Sequence, residues 1–289
     1  MIQWYPGHMA KAKKEIQEKL KLVDIVFELL DARIPFSSLN PEFQKIFNNS
    51  KKLFIITKQE MADQVETAKW QRYFKNQGIA SITIDSISGA NVKNIVGAAK
   101  AVLEEKIKKD LARGLKPRAI RAMVVGIPNV GKSTLINKLT GKHSAATGDK
   151  PGVTKAQQWI RINKDLDLLD TPGVLWPKFE SLTQSYHLAL TGAIKDDVVR
   201  KEDMIFYFLD FLKKYYPSNL ESRYGVDINN TNLEILDKIG SNRGFIKAGN
   251  VDYEKVYETI LTDFRNLRIG RITLDHEDQE WYVFIRKEV

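Results

Sequence analysis

The first 180 residues alternate between short apolar runs and longer segments whose apolar residues recur at helical spacing. Five apolar runs end directly in polar or glycine-containing turns, as buried strands of a parallel sheet do. They cover residues 24–30, 53–56, 81–84, 122–125 and 166–169. Helical patterns cover residues 10–22, 65–76, 92–111 and 133–139. The alternation predicts an α/β domain with a mainly parallel sheet and with ligands at the carboxyl ends of its strands.

The strand pattern stops after about residue 180, and helical patterns follow. Residues 204–216 form an apolar and aromatic run that stops at Pro217, and residues 253–267 repeat apolar side chains at helical spacing. We therefore expect two domains, residues 1–180 and a smaller, mostly helical domain at 181–289. Residues 106–121 are rich in Lys and Arg, which is consistent with either a linker or a basic surface.

The amino-acid composition favours some binding partners and excludes some kinds of site. Lys and Arg number 45 against 36 Asp and Glu, a formal net charge of +9. This excess favours a polyanionic partner such as nucleic acid, although a basic globular protein without one has the same balance. The absence of cysteine excludes disulfides and thiolate metal sites. No signal peptide and no bilayer-spanning run is evident, and no heptad pattern suggests self-association. We expect a cytoplasmic monomer without membrane contact.

Residues 126–133, GIPNVGKS, match the phosphate-loop pattern GxxxxGK[ST]. The pattern follows an apolar strand and opens a helix, which is the context that phosphate binding requires. Glycines let backbone N–H groups turn toward the phosphates, and the helix N-terminus adds positive potential. We expect Lys132 to contact the β- and γ-phosphates and the Ser133 hydroxyl to bind magnesium.

Two downstream segments extend this prediction. Asp170-Thr-Pro-Gly173 follows the last apolar run, so Asp170 can hold magnesium and the Gly173 N–H can meet the γ-phosphate. Thr154, in the sequence KPGVT, can complete the magnesium shell. Alone, Thr154 is weak support, and its assignment depends on the phosphate loop and on Asp170.

Together, GIPNVGKS, PGVT and DTPG resemble translation-factor-class GTPases. In most of that class the base-recognition motifs follow DTPG, whereas here matching segments come earlier, as Thr57-Lys58-Gln59-Glu60 and Ser86-Ile87-Ser88. This order resembles that of circularly permuted GTPases. Among these, WYPGHM at residues 4–9, DARIP at residues 31–35 and the helical C-terminal region are similar to the ribosome biogenesis GTPase A family.

The resemblance implies a GTPase that binds GTP, GDP and magnesium and assists a late step of large ribosomal subunit assembly. It also implies contact between the C-terminal domain and ribosomal RNA, for which Tyr253, Tyr257, Lys247, Lys255, Arg265, Arg268 and Arg271 are candidates. Catalytic roles fall to His8, Lys132 and Gly173, and magnesium ligation to Ser133, Thr154 and Asp170. Nucleotide contacts fall to Thr57, Lys58, Gln59, Glu60, Asp85, Ser86, Asn129, Val130, Gly131, Lys132, Ser133, Thr134, Thr154 and Gly173.

The chain departs from the family pattern at two points. The base motif has Thr57 and Glu60 where Asn and Asp are expected, and the longer Glu60 side chain shifts the acceptors for guanine. In addition, the residue after Gly173 is Val174, so no glutamine orients water there. The resemblance suggests three substitutes: His8, a potassium ion beside Asn129, or a group supplied by the ribosome.

Two other functions remain open at this point. The chain would be a nucleotide-gated RNA-binding module if its hydrolysis were incidental, and the missing glutamine favours that interpretation slightly. It would be an ATPase of the same fold if Glu60 no longer selected guanine.

Overall fold

The computed structural model describes residues 7–141, 158–176, 179, 181–276 and 278. For residues 7–12 and 158 it describes the backbone alone. Six strands form one sheet in the order β3-β2-β1-β4-β6-β5. Their bounds are β1 Ile25–Asp31, β2 Lys52–Thr57, β3 Ser81–Thr83, β4 Ile120–Gly126, β5 Gln158–Arg161 and β6 Leu166–Asp170.

All five predicted strands are present and pair in parallel, so the α/β prediction is confirmed. The apolar pattern did not predict β5, a four-residue edge strand that pairs antiparallel with β6. Strands β1 and β4 lie at the centre of the sheet, where helices cover both faces, and this explains their nearly continuous apolar runs.

Eleven helices are seen in the described part of the chain. They are α1 Gly7–Lys19, α2 Pro41–Ile46, α3 Gln64–Asn76, α4 Ile95–Val102, α5 Glu104–Ala112, α6 Lys132–Thr140, α7 Leu182–Leu190, α8 Lys201–Tyr215, α9 Pro217–Tyr224, α10 Asn232–Asn242 and α11 Tyr253–Arg265. None of these helices combines the length and the apolar character that crossing a membrane requires.

The helix predicted at 92–111 is divided in the structure. A 3-10 turn at Val92–Asn94 leads into α4, and Leu103 separates α4 from α5. The basic segment 106–121 is therefore partly helical. Pro217 not only follows α8 but also occupies the first turn of α9, where its missing N–H costs no hydrogen bond. A small hairpin, β7 Ile246–Lys247 with β8 Asn250–Val251, interrupts the otherwise helical C-terminal region.

One carboxyl group is buried in the centre of the sheet. Glu28 lies in the middle of β1 and is 1% exposed. Burial raises its pKa to about 7, although the Lys52 charge and the backbone N–H of Asn40 act in the opposite direction.

The end of the described chain returns to the sheet domain. Residues 272–275, which we call the C-terminal strap, run beside the loops that follow β1 and β2. The backbone N–H of Leu274 donates to Arg33 O at 2.7 Å, and that of Ile272 donates to Met61 O at 3.4 Å. Both regions thus share one buried core, and the division at residue 180 stays a prediction.

Candidate functional site

The phosphate loop connects β4 to α6 and holds two glycines that other residues could not replace. A Cβ atom at Gly126 would lie 2.9 Å from Val130 Cγ1 and 3.0 Å from Leu29 O. Gly131 has φ 99°, a backbone conformation that side chains disfavour, and it directly precedes the first residue of α6. The loop is therefore shaped to turn its N–H groups toward an anion at the helix N-terminus.

Lys132 is buried at the start of α6. Its Nζ donates to Ile127 O at 3.1 Å and to Gly126 O at 3.3 Å. Burial lowers the pKa of Lys132 to about 8, and the nearby charge of Asp170 partly offsets that effect. The ammonium group is thus held inside the loop, at the place where the β- and γ-phosphates of a nucleotide would lie.

Asp170 ends β6 next to the phosphate loop, and its surroundings fit a magnesium ion. It is 0% exposed, and neither carboxylate oxygen accepts a well-aligned hydrogen bond from the described residues. Burial raises its pKa to about 6, while the Lys132 charge opposes this shift. A divalent cation would satisfy these buried acceptors, and Ser133, one residue after Lys132, supplies a hydroxyl in the same first turn.

Gly173 approaches the phosphate loop so closely that no larger residue fits. A Cβ atom there would lie 2.9 Å from Pro128 Cα and 3.2 Å from Lys132 Nζ. The next N–H, of Val174, donates to Gly126 O at 3.2 Å, and the Thr171 hydroxyl donates to Val124 O at 2.6 Å. The segment after β6 is thus fixed against the phosphate loop, with Gly173 beside Lys132.

The predicted base-recognition segment is joined to the phosphate loop by two side chains. The Thr57 hydroxyl, at the end of β2, lies 2.6 Å from Val130 O and 3.0 Å from Leu30 O. Lys58 has φ 58°, and its Nζ donates to Asn129 O at 2.6 Å. Threonine therefore performs the linking that the family pattern gives to asparagine at this position.

An ion-pair network supports Lys58, and sequence reasoning had assigned no functional role to its partners Asp31 and Arg33. Asp31 ends β1, accepts from Lys58 Nζ at 2.9 Å, and pairs with Arg33 through Nε at 3.0 Å and Nη2 at 2.7 Å. Burial opposes ionisation of Asp31, but the charges of Arg33 and Lys58 hold its pKa well below the usual range. Asp31 could have been found from the sequence, because a carboxylate at the carboxyl end of a buried parallel strand lies where such sheets bind ligands.

Glu60 lies in the 3-10 turn Gln59–Met61, close to Asp85. Its Oε2 is buried and has no hydrogen-bond partner within the described residues. Burial raises the pKa of Glu60, and the neighbouring charge of Asp85 adds to this effect. Asp85 Oδ1 accepts from the N–H groups of Ile87 at 2.7 Å and Ser88 at 3.0 Å, which shapes the second base loop.

The remaining predicted site residues are placed as follows. Val130 is buried and Thr134 is exposed on the first turn of α6, while Ser86 is buried after β3. Thr154 lies outside the described residues. His8 belongs to α1 by its backbone, but its side chain lies outside the described part, so its proposed catalytic role stays a prediction.

The three residues that directly follow Gly173 include no glutamine that could orient an attacking water. Val174, Leu175 and Trp176 are apolar and only 1–3% exposed. Their burial anchors this segment in the core.

The turn after α7 connects the phosphate loop with the C-terminal helices. Asn129 Nδ2 donates to Gly192 O at 2.7 Å, and Arg33 Nη2 donates to Thr191 O at 3.4 Å. Arg265, from α11, donates to Leu190 O at 3.0 Å and forms a bidentate pair with Asp196.

One candidate for RNA contact, Tyr257, is corrected, and a second, Arg265, makes several contacts within the protein. The guanidinium of Arg265 is engaged within the protein, because it holds the end of α7 and pairs with Asp196. Tyr257 is only 7% exposed and packs in the core, so its ring presents no face for a base to stack on. The amphipathic pattern of α11 could not separate these internal contacts from surface charges.

Comparison with known proteins gives a consistent result. The family described as "50S ribosome-binding GTPase" matches residues 121–250. The chain is 51% identical over 277 residues to ribosome biogenesis GTPase A of Priestia megaterium, covering 95% of this chain and 96% of the relative. It is 32% identical to mitochondrial ribosome-associated GTPase 1 of Mus musculus, covering 96% of this chain and 91% of that protein.

Solved structures agree with the sequence relatives. A crystal structure of GNP-bound YlqF from T. maritima superposes with a TM-score of 0.68 at 26% identity, covering 93% of this chain and 99% of the other. A GDP-bound structure of YlqF gives the same TM-score and identity, and it covers 92% of this chain. The permuted arrangement, with the base motif ahead of the phosphate loop, is thus shared with solved proteins of this fold.

Proposed function

The chain belongs to the ribosome biogenesis GTPase A family, and from this premise we propose that it assists a late step in assembly of the large ribosomal subunit. It is a GTPase of ribosome biogenesis. We further propose that it binds the large-subunit precursor through rRNA and leaves the precursor after GTP hydrolysis. The family description names 50S binding, and the mitochondrial relative is named for ribosome association.

The buried apolar run after Gly173 is the observation that carries the proposal of ribosomal stimulation. With Val174, Leu175 and Trp176 packed in the core, the described part of the site holds phosphates but lacks a group that orients water. Slow hydrolysis by the free protein and faster hydrolysis on the subunit follow from this arrangement, because the subunit can position the missing group.

We assign the described residues the following tasks. Lys132 neutralises charge that develops on the γ-phosphate, and the Gly173 N–H donates to a γ-phosphate oxygen. Asp170 and Ser133 hold magnesium, which supplies further positive charge to the phosphates when bound. Glu60 accepts from the guanine ring, and Lys58 covers the base with its aliphatic stem.

The contact from Asn129 to Gly192 favours coupling between nucleotide and C-terminal domain. A change at the phosphate loop that moves Asn129 also moves the turn that Arg265 ties to α11. In our proposal GTP favours the subunit-bound arrangement and GDP favours release. We also propose that a potassium ion binds at the Asn129 amide oxygen and adds positive charge beside the phosphates.

The decisive experiment measures phosphate release from GTP and from ATP, with and without purified large subunits, in potassium and in sodium buffers. Strong stimulation by the subunit with GTP alone is the expected result. Equal stimulation with ATP would show that the site does not select guanine. Equal rates in sodium and potassium would show that hydrolysis does not need a potassium ion. The His8→Ala variant should lose the stimulated rate but retain nucleotide binding if His8 orients water.

A nucleotide-gated RNA-binding module is the second candidate, favoured by the same apolar run after Gly173. It predicts no stimulation by subunits and full subunit binding with a non-hydrolysable GTP analogue. A complete assembly cycle supported by a variant that binds GTP without hydrolysing it would establish this alternative.

A further inference from the structure

Three arginines converge on one buried carboxylate in the C-terminal region. Asp263, on α11, is 0% exposed. Arg223, on α9, pairs with it through Nε and Nη2, each at 2.9 Å. Arg243 follows α10 and approaches Asp263 Oδ2 at 3.2 Å, and Arg268 follows α11 and approaches Oδ1 at 3.4 Å. The cluster therefore carries three positive charges and one negative charge.

The cluster holds more positive charge than the single carboxylate of Asp263 can neutralise. Arg223 alone offers a donor to each oxygen of Asp263, and the Tyr224 hydroxyl adds another contact at 3.3 Å. The longest of the arginine contacts belongs to Arg268, whose side chain is 54% exposed. Elsewhere the C-terminal region pairs Arg265 with Asp196 one to one. Two guanidinium charges thus remain uncompensated around Asp263, with part of their surface in solvent.

Two of the three arginines line an open cleft of about 490 Å³ between α9 and the turn that follows α11, while Arg243 lies behind them on Asp263. Arg223 and Arg268 line it, together with the side chains of Ser218, Asn219 and Ser222. The turn is tightly shaped, because a Cβ atom at Gly270, where φ is 110°, would lie 2.3 Å from Asn219 Nδ2. Hydroxyl donors and guanidinium groups around an open cleft are the chemistry that binds a phosphate group.

We propose that this cleft, with Arg223, Arg243 and Arg268, is a binding site for a backbone phosphate of RNA. The inference rests on the proposed role in rRNA binding and gives that role a location. Arg268 contacts the phosphate from the rim, while Arg223 and Arg243 provide positive potential and remain anchored to Asp263. Because the contact is to the backbone, it adds affinity without reading the base sequence.

The test measures binding of a fluorescein-labelled RNA hairpin by anisotropy over a series of KCl concentrations, with the full chain bound to a non-hydrolysable GTP analogue. Arg268→Gln should weaken binding about three- to tenfold and reduce the slope of log affinity against log salt by about one unit. Arg243→Gln should act in the same direction. Arg268→Lys should retain most of the affinity, since it keeps the charge. Arg72→Gln, an exposed charge removal on α3, is the matched control and should change neither quantity.

Several outcomes would overturn the site. An unchanged affinity and salt slope in Arg268→Gln would do so, provided that its urea unfolding midpoint equals that of the wild type. A second arm compares thermal stabilisation of the wild type and Arg268→Gln by inorganic phosphate at constant ionic strength. A shift that depends on Arg268, with RNA affinity unchanged, would make this a small-anion site and refute RNA binding there.

Failure of this inference is distinguishable from failure of the proposed function. If the subunit stimulates GTP hydrolysis by the wild type and by Arg268→Gln equally, and RNA affinity is unchanged, only the phosphate site is refuted. If the wild type itself is not stimulated and does not bind RNA, the proposed function fails and the site has no role to serve.

Discussion

The side-chain amide of Asn129 donates a hydrogen bond of 2.7 Å to the backbone carbonyl of Gly192. One partner lies in the phosphate loop, and the other lies in the turn after α7. The same turn receives Arg33 from the loop after β1 and lies next to the carbonyl held by Arg265 from α11. A short run of backbone carbonyls therefore connects the nucleotide site with the C-terminal helices.

Asn129→Ala should uncouple the two regions. In the wild type we expect amide hydrogen exchange at residues 188–196 to differ between GDP and a non-hydrolysable GTP analogue. Loss of the hydrogen bond to Gly192 should abolish that difference, because the turn no longer follows the phosphate loop. Asn76→Ala, at the exposed end of α3, serves as the control. A nucleotide-dependent difference that persists in Asn129→Ala would refute the coupling.

Glu60→Ala should weaken guanine binding selectively. In our proposal the buried, unpartnered Oε2 of Glu60 accepts from guanine, so its removal should lower GDP affinity about tenfold to a hundredfold, or about 1–3 kcal/mol. ADP affinity should stay unchanged. Titration of both nucleotides checks this, with Glu105→Ala, an exposed change on α5, as the control. GDP affinity within about twofold of the wild type would show that Glu60 does not read the base.

Glu28→Gln should stabilise the protein increasingly as the pH rises from about 4.5 to about 7. Burial raises the pKa of Glu28 from 4.5 to about 7, so its stability contribution is fully present below pH 4.5 and is lost as the pH rises through 7. At pH 8 the variant should gain about 3 kcal/mol over the wild type. Near pH 5 the two should differ little. Urea unfolding of both proteins at each pH checks this, and a pH-independent difference would contradict it.

Asp275→Ala should release the C-terminal strap. Asp275 Oδ2 accepts from the N–H groups of Phe36 and Ser37, each at 2.7 Å, and Oδ1 lies 2.8 Å from His187 Nδ1. Losing these buried contacts should cost about 3–5 kcal/mol of unfolding free energy. Asp278→Ala, whose side chain is 58% exposed, should cost less than about 1 kcal/mol. Equal losses in the two variants would refute the strap as a stabilising element.

Much of the sheet was predictable because its central strands are buried on both faces. The run at 122–125 is apolar throughout, the run at 24–30 is apolar apart from Asp24 and Glu28, and their bounds match β4 and β1 within two residues. Strand β5 could not be predicted, because it has four residues at the edge and its Trp159 is 44% exposed. The break at Leu103 was also missed, since the apolar pattern continues through it.

The position of the phosphate loop next to Asp170 could be predicted from the sequence. Strands β4 and β6 are neighbours in parallel, so Lys132 and Asp170 had to meet at their carboxyl ends. The connection from Asn129 to Gly192 could not be predicted, because it joins an amide to a backbone carbonyl 63 residues away. Backbone acceptors leave no trace in side-chain patterns.

The strap also sets when the loop after β1 gains its last partner during synthesis. Asp275 accepts from the backbone N–H of Ser37 across 238 residues of chain. A nascent chain therefore exposes the loop after β1 long before the carboxylate that binds it has been made. Nascent chains that stop short of residue 275 should consequently leave this loop open to proteolysis, whereas chains that include it should protect the loop.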